Sequence, residues 1–149
     1  MIRSLAPGEI DLARSVFGPA LRTDTVRLLR LPPLLRRAFV PGAVAGREWI
    51  CWPTASWSDD FSGGPLRRQG TLIHELVHVW QAQRGVNLLV AKLRAGDRPA
   101  AYVYDCGPAT LWDALNIEQQ ASVIEHRFLL DRGATVPGEE SFYRRVCPF

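Results

Sequence analysis

The segment His74-Glu75-Leu76-Val77-His78 packs two imidazoles and a carboxylate into five residues, and it uses two of the three histidines in the chain. Four residues apart on a helix, the two rings lie one above the other on the same face. From there both can bind one metal ion at ~2.0–2.1 Å per nitrogen. Glu75 projects from the neighbouring face toward the open side of such an ion, where it can take a proton from water. The order is the H-E-x-x-H pattern of zinc peptidases. A helix that set these three groups among apolar neighbours without using them would have buried polar atoms to satisfy.

A catalytic zinc ion takes three protein ligands and keeps a fourth position for water, so a further ligand is required. The metzincin continuation needs a glycine and a third histidine at positions held here by Gln81 and Arg84, which excludes it. Downstream, Asn116-Ile117-Glu118-Gln119 reads as a helix start, with Asn116 as cap and Gln119 reaching back to it. Glu118 falls in the first turn, and the small Ala121 and Ser122 after it would let this helix pack closely on the motif helix. Glu118 is therefore the preferred third ligand, with Glu125 and His126 behind it.

The elements that must position these groups follow from patterning. Leu66 to Arg84 holds no proline; Leu72, Ile73, Leu76, Val77 and Trp80 recur at helical spacing, and Gly85 offers a stop. Pro7 suits a first helical position, and Ile10, Leu12, Ala13, Val16 and Phe17 make an apolar stripe that ends at Gly18. Between Thr23 and Trp52 the period changes. Val26, Leu28 and Arg30 alternate, Phe39 to Pro41 is a short apolar run, and Trp49 to Trp52 reads as a half-buried strand ended by Pro53. Thr54 to Gly64 is a loop by composition, and a helix from Asn116 would run to Leu130 and stop near Gly133. The expected fold is α+β and zincin-like: a short antiparallel or mixed sheet packed on the motif helix, with a second ligand-bearing helix.

Bulk properties fit that frame. At 149 residues, 47% apolar and 22% charged, the chain suits one domain over positions 1–149. It has no stretch of roughly 18 uninterrupted apolar residues, and its first residues lack a signal peptide's apolar core, so a cytoplasmic address and no membrane partner are the expectation. Cys51, Cys106 and Cys147 are odd in number and show no C-x-x-C spacing, which fits reduced thiols. The net charge is +3, carried almost wholly by arginine, with Lys92 the one lysine. Arg27, Arg30, Arg36 and Arg37 alternate with leucines and lack interleaved aromatics. They read as a solvated basic face, and a nucleic-acid partner is not expected. The oligomeric state is not encoded in any pattern found.

With those residues in view, the chain resembles the small bacterial Vgr-related proteins, a gluzincin-like group linked by name to type VI secretion. The likeness rests on His74 to Gln81, on Tyr102-Val103-Tyr104 and on Asn116 to Ala121. It extends upstream to Asp59-Asp60-Phe61 and Ser15 to Gly18. More distantly, it is similar to the repressor-cleaving immunity metallopeptidases. Both resemblances imply a Zn2+ cofactor on His74, His78 and Glu118, with Glu75 as the base. Many gluzincins carry an aspartate four residues after the ligand glutamate to support a zinc histidine; Ser122 stands there instead.

The function expected is a zinc metallopeptidase acting on a peptide or protein substrate. Tyr102, Tyr104 or Tyr143 would donate to the oxyanion, Tyr104 being preferred for its place just before the ligand helix. An extended substrate could add as a strand to the sheet edge near Phe39 to Trp52. Two alternatives stand beside it. One is a zinc-stabilised adaptor of a secretion system, its fourth metal position closed by Asp105 or Cys106. The other is a toxin-like effector whose target lies in another cell.

Overall fold

The computed structural model describes residues 1–96 and 98–149. Its elements in chain order are β1 (Ile2–Arg3), α1 (Pro7–Phe17), β2 (Val26–Leu31), β3 (Ala43–Val44), β4 (Arg47–Pro53), α2 (Leu66–Gln83), α3 (Leu88–Ala95), α4 (Ile117–Leu130) and α5 (Glu140–Val146), with short 3-10 turns between them. The fold is α+β, as expected, with five helices and one small sheet among the described residues.

The sheet has the order β1-β2-β4-β3 and is mixed. β2 and β4 run parallel, from Val26 opposite Glu48 to Leu31 opposite Pro53. β1 joins β2 antiparallel, and β3 joins β4 antiparallel. Alternation in β2 sends Val26 and Leu28 to the core, where they meet Ile50 and Trp52 of β4. The short apolar run Phe39 to Pro41 does not become a strand of its own. Only Phe39 pairs, in an isolated antiparallel bridge to Cys51. Pro41 lacks a backbone donor, and Gly42 has a φ of 128°, so the ladder cannot continue through them.

α2 lies across this sheet and packs on α4. Leu72, Ile73, Leu76, Val77 and Val79 are fully buried along it and form one core with Phe17, Leu28, Ile50, Trp52 and Phe61. Each such side chain contributes roughly 1.5–3 kcal/mol of transfer free energy. α4 begins as its residues dictate. The Asn116 side chain accepts from the Gln119 backbone N–H at 2.8 Å, and the Gln119 side chain accepts from the Asn116 N–H at 3.0 Å. Val123, Phe142, Tyr143 and Val146 form a second, smaller cluster between α4 and α5.

The two main helices approach closely at Gly70. A Cβ there would meet Leu129 Cδ2 at 3.0 Å and Glu125 Oε1 at 3.3 Å. Glycine costs a helix interior about 1 kcal/mol relative to alanine, and here its missing side chain gives α4 room to draw near.

A second device fixes the loop that enters α2. The Glu9 carboxylate is fully buried and accepts two bonds from Arg3, both at 2.7 Å, one from the Ala6 N–H at 2.7 Å, and one from the Phe61 N–H at 3.0 Å. Arg3 also donates to the Ser58 carbonyl at 3.0 Å. One carboxylate thereby ties β1, the start of α1 and the segment before α2 together. Glu9→Ala leaves a mostly buried guanidinium and a buried N–H without their acceptor. It is expected to lower stability by about 3–5 kcal/mol, read as a reduced midpoint in urea unfolding; an unchanged midpoint would reject this role.

Candidate metal centre

His74, Glu75 and His78 sit in the middle of α2, where the helix faces α4. The Nε2 atoms of His74 and His78 lie 3.3 and 3.1 Å from the same oxygen, Oε2 of Glu118. One ligand atom from each residue can be chosen so that all three lie within 4.8 Å of one another. A tetrahedral ion with bonds of ~2.0–2.1 Å places its ligand atoms roughly 3.3–3.4 Å apart. The observed spacing fits one small divalent cation with little movement of the side chains. The structure thus brings His74, His78 and Glu118 to one point, as the helix-face argument required.

Each imidazole is held from behind. His74 Nδ1 bonds Glu125 Oε2 at 2.9 Å, and His78 Nδ1 bonds the Gln81 amide oxygen at 2.9 Å. These partners set the tautomer that turns Nε2 inward and strengthen each nitrogen as a ligand. Gln81 is itself buried, and its amide N–H groups donate to Gln120 Oε1 at 2.9 Å and to the Ile117 carbonyl at 3.2 Å. It therefore orients His78 and locks α2 to the first turn of α4. The support that gluzincins take from an aspartate at the Ser122 position comes here from Glu125, two helical turns beyond Glu118 on the same face. From sequence, Glu125 stands only among the possible ligands and Gln81 has no role. The seven-residue interval from Glu118 to Glu125 is the signal that could have found the first, and the three-residue interval from His78 the second.

Electrostatics agree with the geometry. Burial works against charge on His74, but the bonds to Glu118 and Glu125 override it and raise the group to about 10. Burial likewise pushes the Glu118 carboxyl up, and the two imidazoles outweigh it, holding the group far below the usual carboxylate range. The other Glu118 oxygen lies 3.9 Å from Lys92 Nζ of α3. Glu75, 5% exposed, is the odd member: among the described residues its Oε2 is buried with no hydrogen-bond partner. An uncompensated buried carboxylate oxygen is costly, and beside a cation position it is where a water's proton would be received.

The remaining sequence candidates fall elsewhere. The Tyr104 hydroxyl, the preferred oxyanion donor, bonds His126 Nδ1 at 2.5 Å and the Tyr143 hydroxyl at 2.9 Å, and all three belong to the region of the second cluster. Burial raises the Tyr104 phenol, so it stays protonated, and burial lowers His126. Neither lines the cleft over His74 and Glu75. Asp105 accepts from the Gly107 N–H at 3.0 Å, and Cys106 packs in the second cluster. Tyr102 is the tyrosine at the site, with its ring 6.1 Å from that of His74. It is two residues from Tyr104 and on a 3-10 turn, so the two rings part company.

A cleft opens over His74 and Glu75 in two lobes. One, about 720 Å3, is lined by Arg36, Arg67, Arg68, Thr71 and Glu125 among others. The other, about 490 Å3, is lined by Phe39, Leu89, Lys92, Leu93 and Glu118. Arg37, Ala38, His74, Glu75 and Tyr102 border both.

No protein-family model matches the chain. It is 34% identical, over 85% of its length, to the type VI secretion system spike protein VgrG2b of Pseudomonas aeruginosa, and it spans 13% of that protein's length. It superimposes on the solved effector domain of the same VgrG2b with a TM-score of 0.71 and 34% identity, covering 88% of this chain and 75% of that one.

The supports of the two imidazoles are separable from the ligands. Glu125→Ala and Gln81→Leu are each expected to weaken zinc binding about 10- to 100-fold, measured by competition with a chromogenic chelator. Tyr104→Phe should leave the affinity unchanged. Equal losses in all three would contradict the assignment.

Proposed function

We propose that this chain, which belongs to the family of the VgrG2b effector domain, is an effector module with zinc-dependent metallopeptidase activity, folded in the zincin manner with its ligands on two helices. The observation that carries the proposal is the buried, unpartnered Oε2 of Glu75 beside three convergent ligand atoms. A structural metal site has no use for a bare carboxylate at that place, whereas a hydrolytic one requires it as a base.

His74, His78 and Glu118 would hold the ion. Once bound, zinc supplies Lewis acidity toward a scissile carbonyl and brings the pKa of a water toward about 7. Glu75 would receive the proton of the attacking water and deliver it to the leaving amine. Tyr102 borders the cleft where a donor to the carbonyl oxygen is needed, the place first assigned to Tyr104. Ala38 and Phe39 run along the cleft beside β4; the Phe39 N–H and C=O are taken by Cys51, so an extended peptide laid there would pair with the outward-facing backbone beside Phe39.

A closed, purely structural zinc site is the competing account. It needs a fourth protein ligand, and the two residues suited to it, Asp105 and Cys106, are engaged elsewhere. Among the described residues the ligand group is a trio. The name of the relative, a secretion spike, supports a module that travels with such an apparatus and acts beyond the producing cell. No described helix is long and apolar enough to cross a membrane.

Glu75→Gln is expected to keep one zinc per chain by elemental analysis and to lose at least about 100-fold in cleavage of a peptide library. Loss of zinc in this variant, or full activity, would overturn the role given to Glu75. Expressed in a bacterial host with and without an export signal, the wild-type chain should arrest growth in one of the two settings and the Glu75→Gln variant in neither. Equal growth with both proteins in both settings would reject the effector assignment.

A further inference from the structure

The two lobes of the cleft differ in chemistry, and they meet at Glu75. In the larger lobe, Arg67 and Arg68 stand in the first turn of α2 and Arg36 faces them across the opening. Among the described residues none of these three guanidinium groups makes an ion pair, while the carboxylate nearby, Glu125, is committed to His74. Cations in the first turn of a helix oppose its dipole, and α2 has no acidic residue there to offset them. The charges are therefore placed against the interest of the helix, and their field adds to that of its free N–H groups. Both point an attractive potential for anions into the cleft.

The smaller lobe is apolar at its rim. Leu89 and Leu93, one turn apart on α3, are 67% and 77% exposed, although the shorter Leu88 face of the same helix is buried. Lys92 in that lobe is drawn toward Glu118, and Arg37 lies on the border that it shares with the larger lobe. Exposed leucines that border a catalytic cleft gain burial only when something apolar is laid on them.

We propose that the cleft selects peptides with an acidic side chain on one side of the scissile bond, held by Arg36, Arg67 and Arg68, and a large apolar side chain on the other, held by Leu89 and Leu93. Ala38 and Tyr102, common to both lobes, would flank the bond itself. The inference rests on the peptidase reading for the word scissile, but the binding preference can be measured without cleavage.

The probes are fluorescein-labelled octapeptides with Leu-Glu or Glu-Leu at the centre of a Gly/Ser frame, titrated by anisotropy into zinc-loaded Glu75→Gln protein. One order should bind best. Replacing its Glu by Lys should weaken binding about tenfold, the scale of two exposed ion pairs turned repulsive, and this discrimination should shrink with added salt. Replacing Leu by Gly should weaken it about tenfold through lost apolar burial, with little salt dependence. Arg67→Glu with Arg68→Glu should erase the Glu-over-Lys preference and keep the Leu-over-Gly one; Leu89→Ser with Leu93→Ser should do the reverse. All four positions are exposed, so the fold should tolerate the changes, and circular dichroism checks this. No measurable binding, equal binding of Glu and Lys peptides, or variants that lose both preferences together would overturn the proposal. Cleavage of a positional peptide library by the wild-type enzyme tests the other reading. Cleavage with no acidic or apolar preference sinks the selectivity alone, whereas ordered binding with no cleavage of any peptide sinks the peptidase assignment alone.

Discussion

The close approach of α2 to α4 governs the rest of the structure, because the site has no meaning until the two helices touch. His74 and His78 belong to one helix, Glu118 and Glu125 to the other, and the two rings share a single carboxylate oxygen. Small residues on both sides make that approach possible: Gly70 opposite Leu129 and Glu125, and Ala121 and Ser122 buried on α4. Gln81 then fastens the contact from within by bonding a ring on its own helix and two groups on the other. Packing and chemistry use the same interface. A change that loosens one loosens the other.

Where the residues themselves set local structure, the sequence was a good guide. Pro7 and Gly18 bound α1, the reciprocal Asn116 and Gln119 bonds begin α4, and the apolar stripe of α2 runs as far as the residues before Gly85. The same period that defines α2 puts two histidines on its face, so the gathering of His74, His78 and Glu118 could be anticipated. What escaped depends on contacts between distant segments. β1 is two residues long and exists only because β2 offers it an edge. The parallel pairing of β2 with β4 skips a whole segment, and no alternation pattern states a partner. α3 hid because its leucines point outward as well as inward, which blurs a periodic signal. Tyr102 and Tyr104 have the same side chain and nearly the same address; only the turn at Pro99–Tyr102 decides which one sees the site.

The supporting residues show the limit most clearly. Periodicity puts Glu118 and Glu125 on one face of α4 without saying which meets the inner nitrogen of a ring and which the outer. That assignment depends on how far α4 slides along α2, a quantity fixed by Gly70 and by the fit of Leu129 against it. A gluzincin pattern suggested support at position 122, and this protein supplies it three residues later.

The span between the partners has a consequence for how the molecule comes into being. His78 and Glu118 are 40 residues apart, His74 and Glu118 are 44, and His74 and Glu125 are 51. Each such contact closes a long loop, whose entropy must be met before the contact gives anything back. The turns of α2 can form early and locally, but they carry only half of the site. The carboxylates arrive when α4 docks on α2. A nascent or half-unfolded chain therefore lacks the gathered trio, which comes together only at the final stage of the molecule's own assembly.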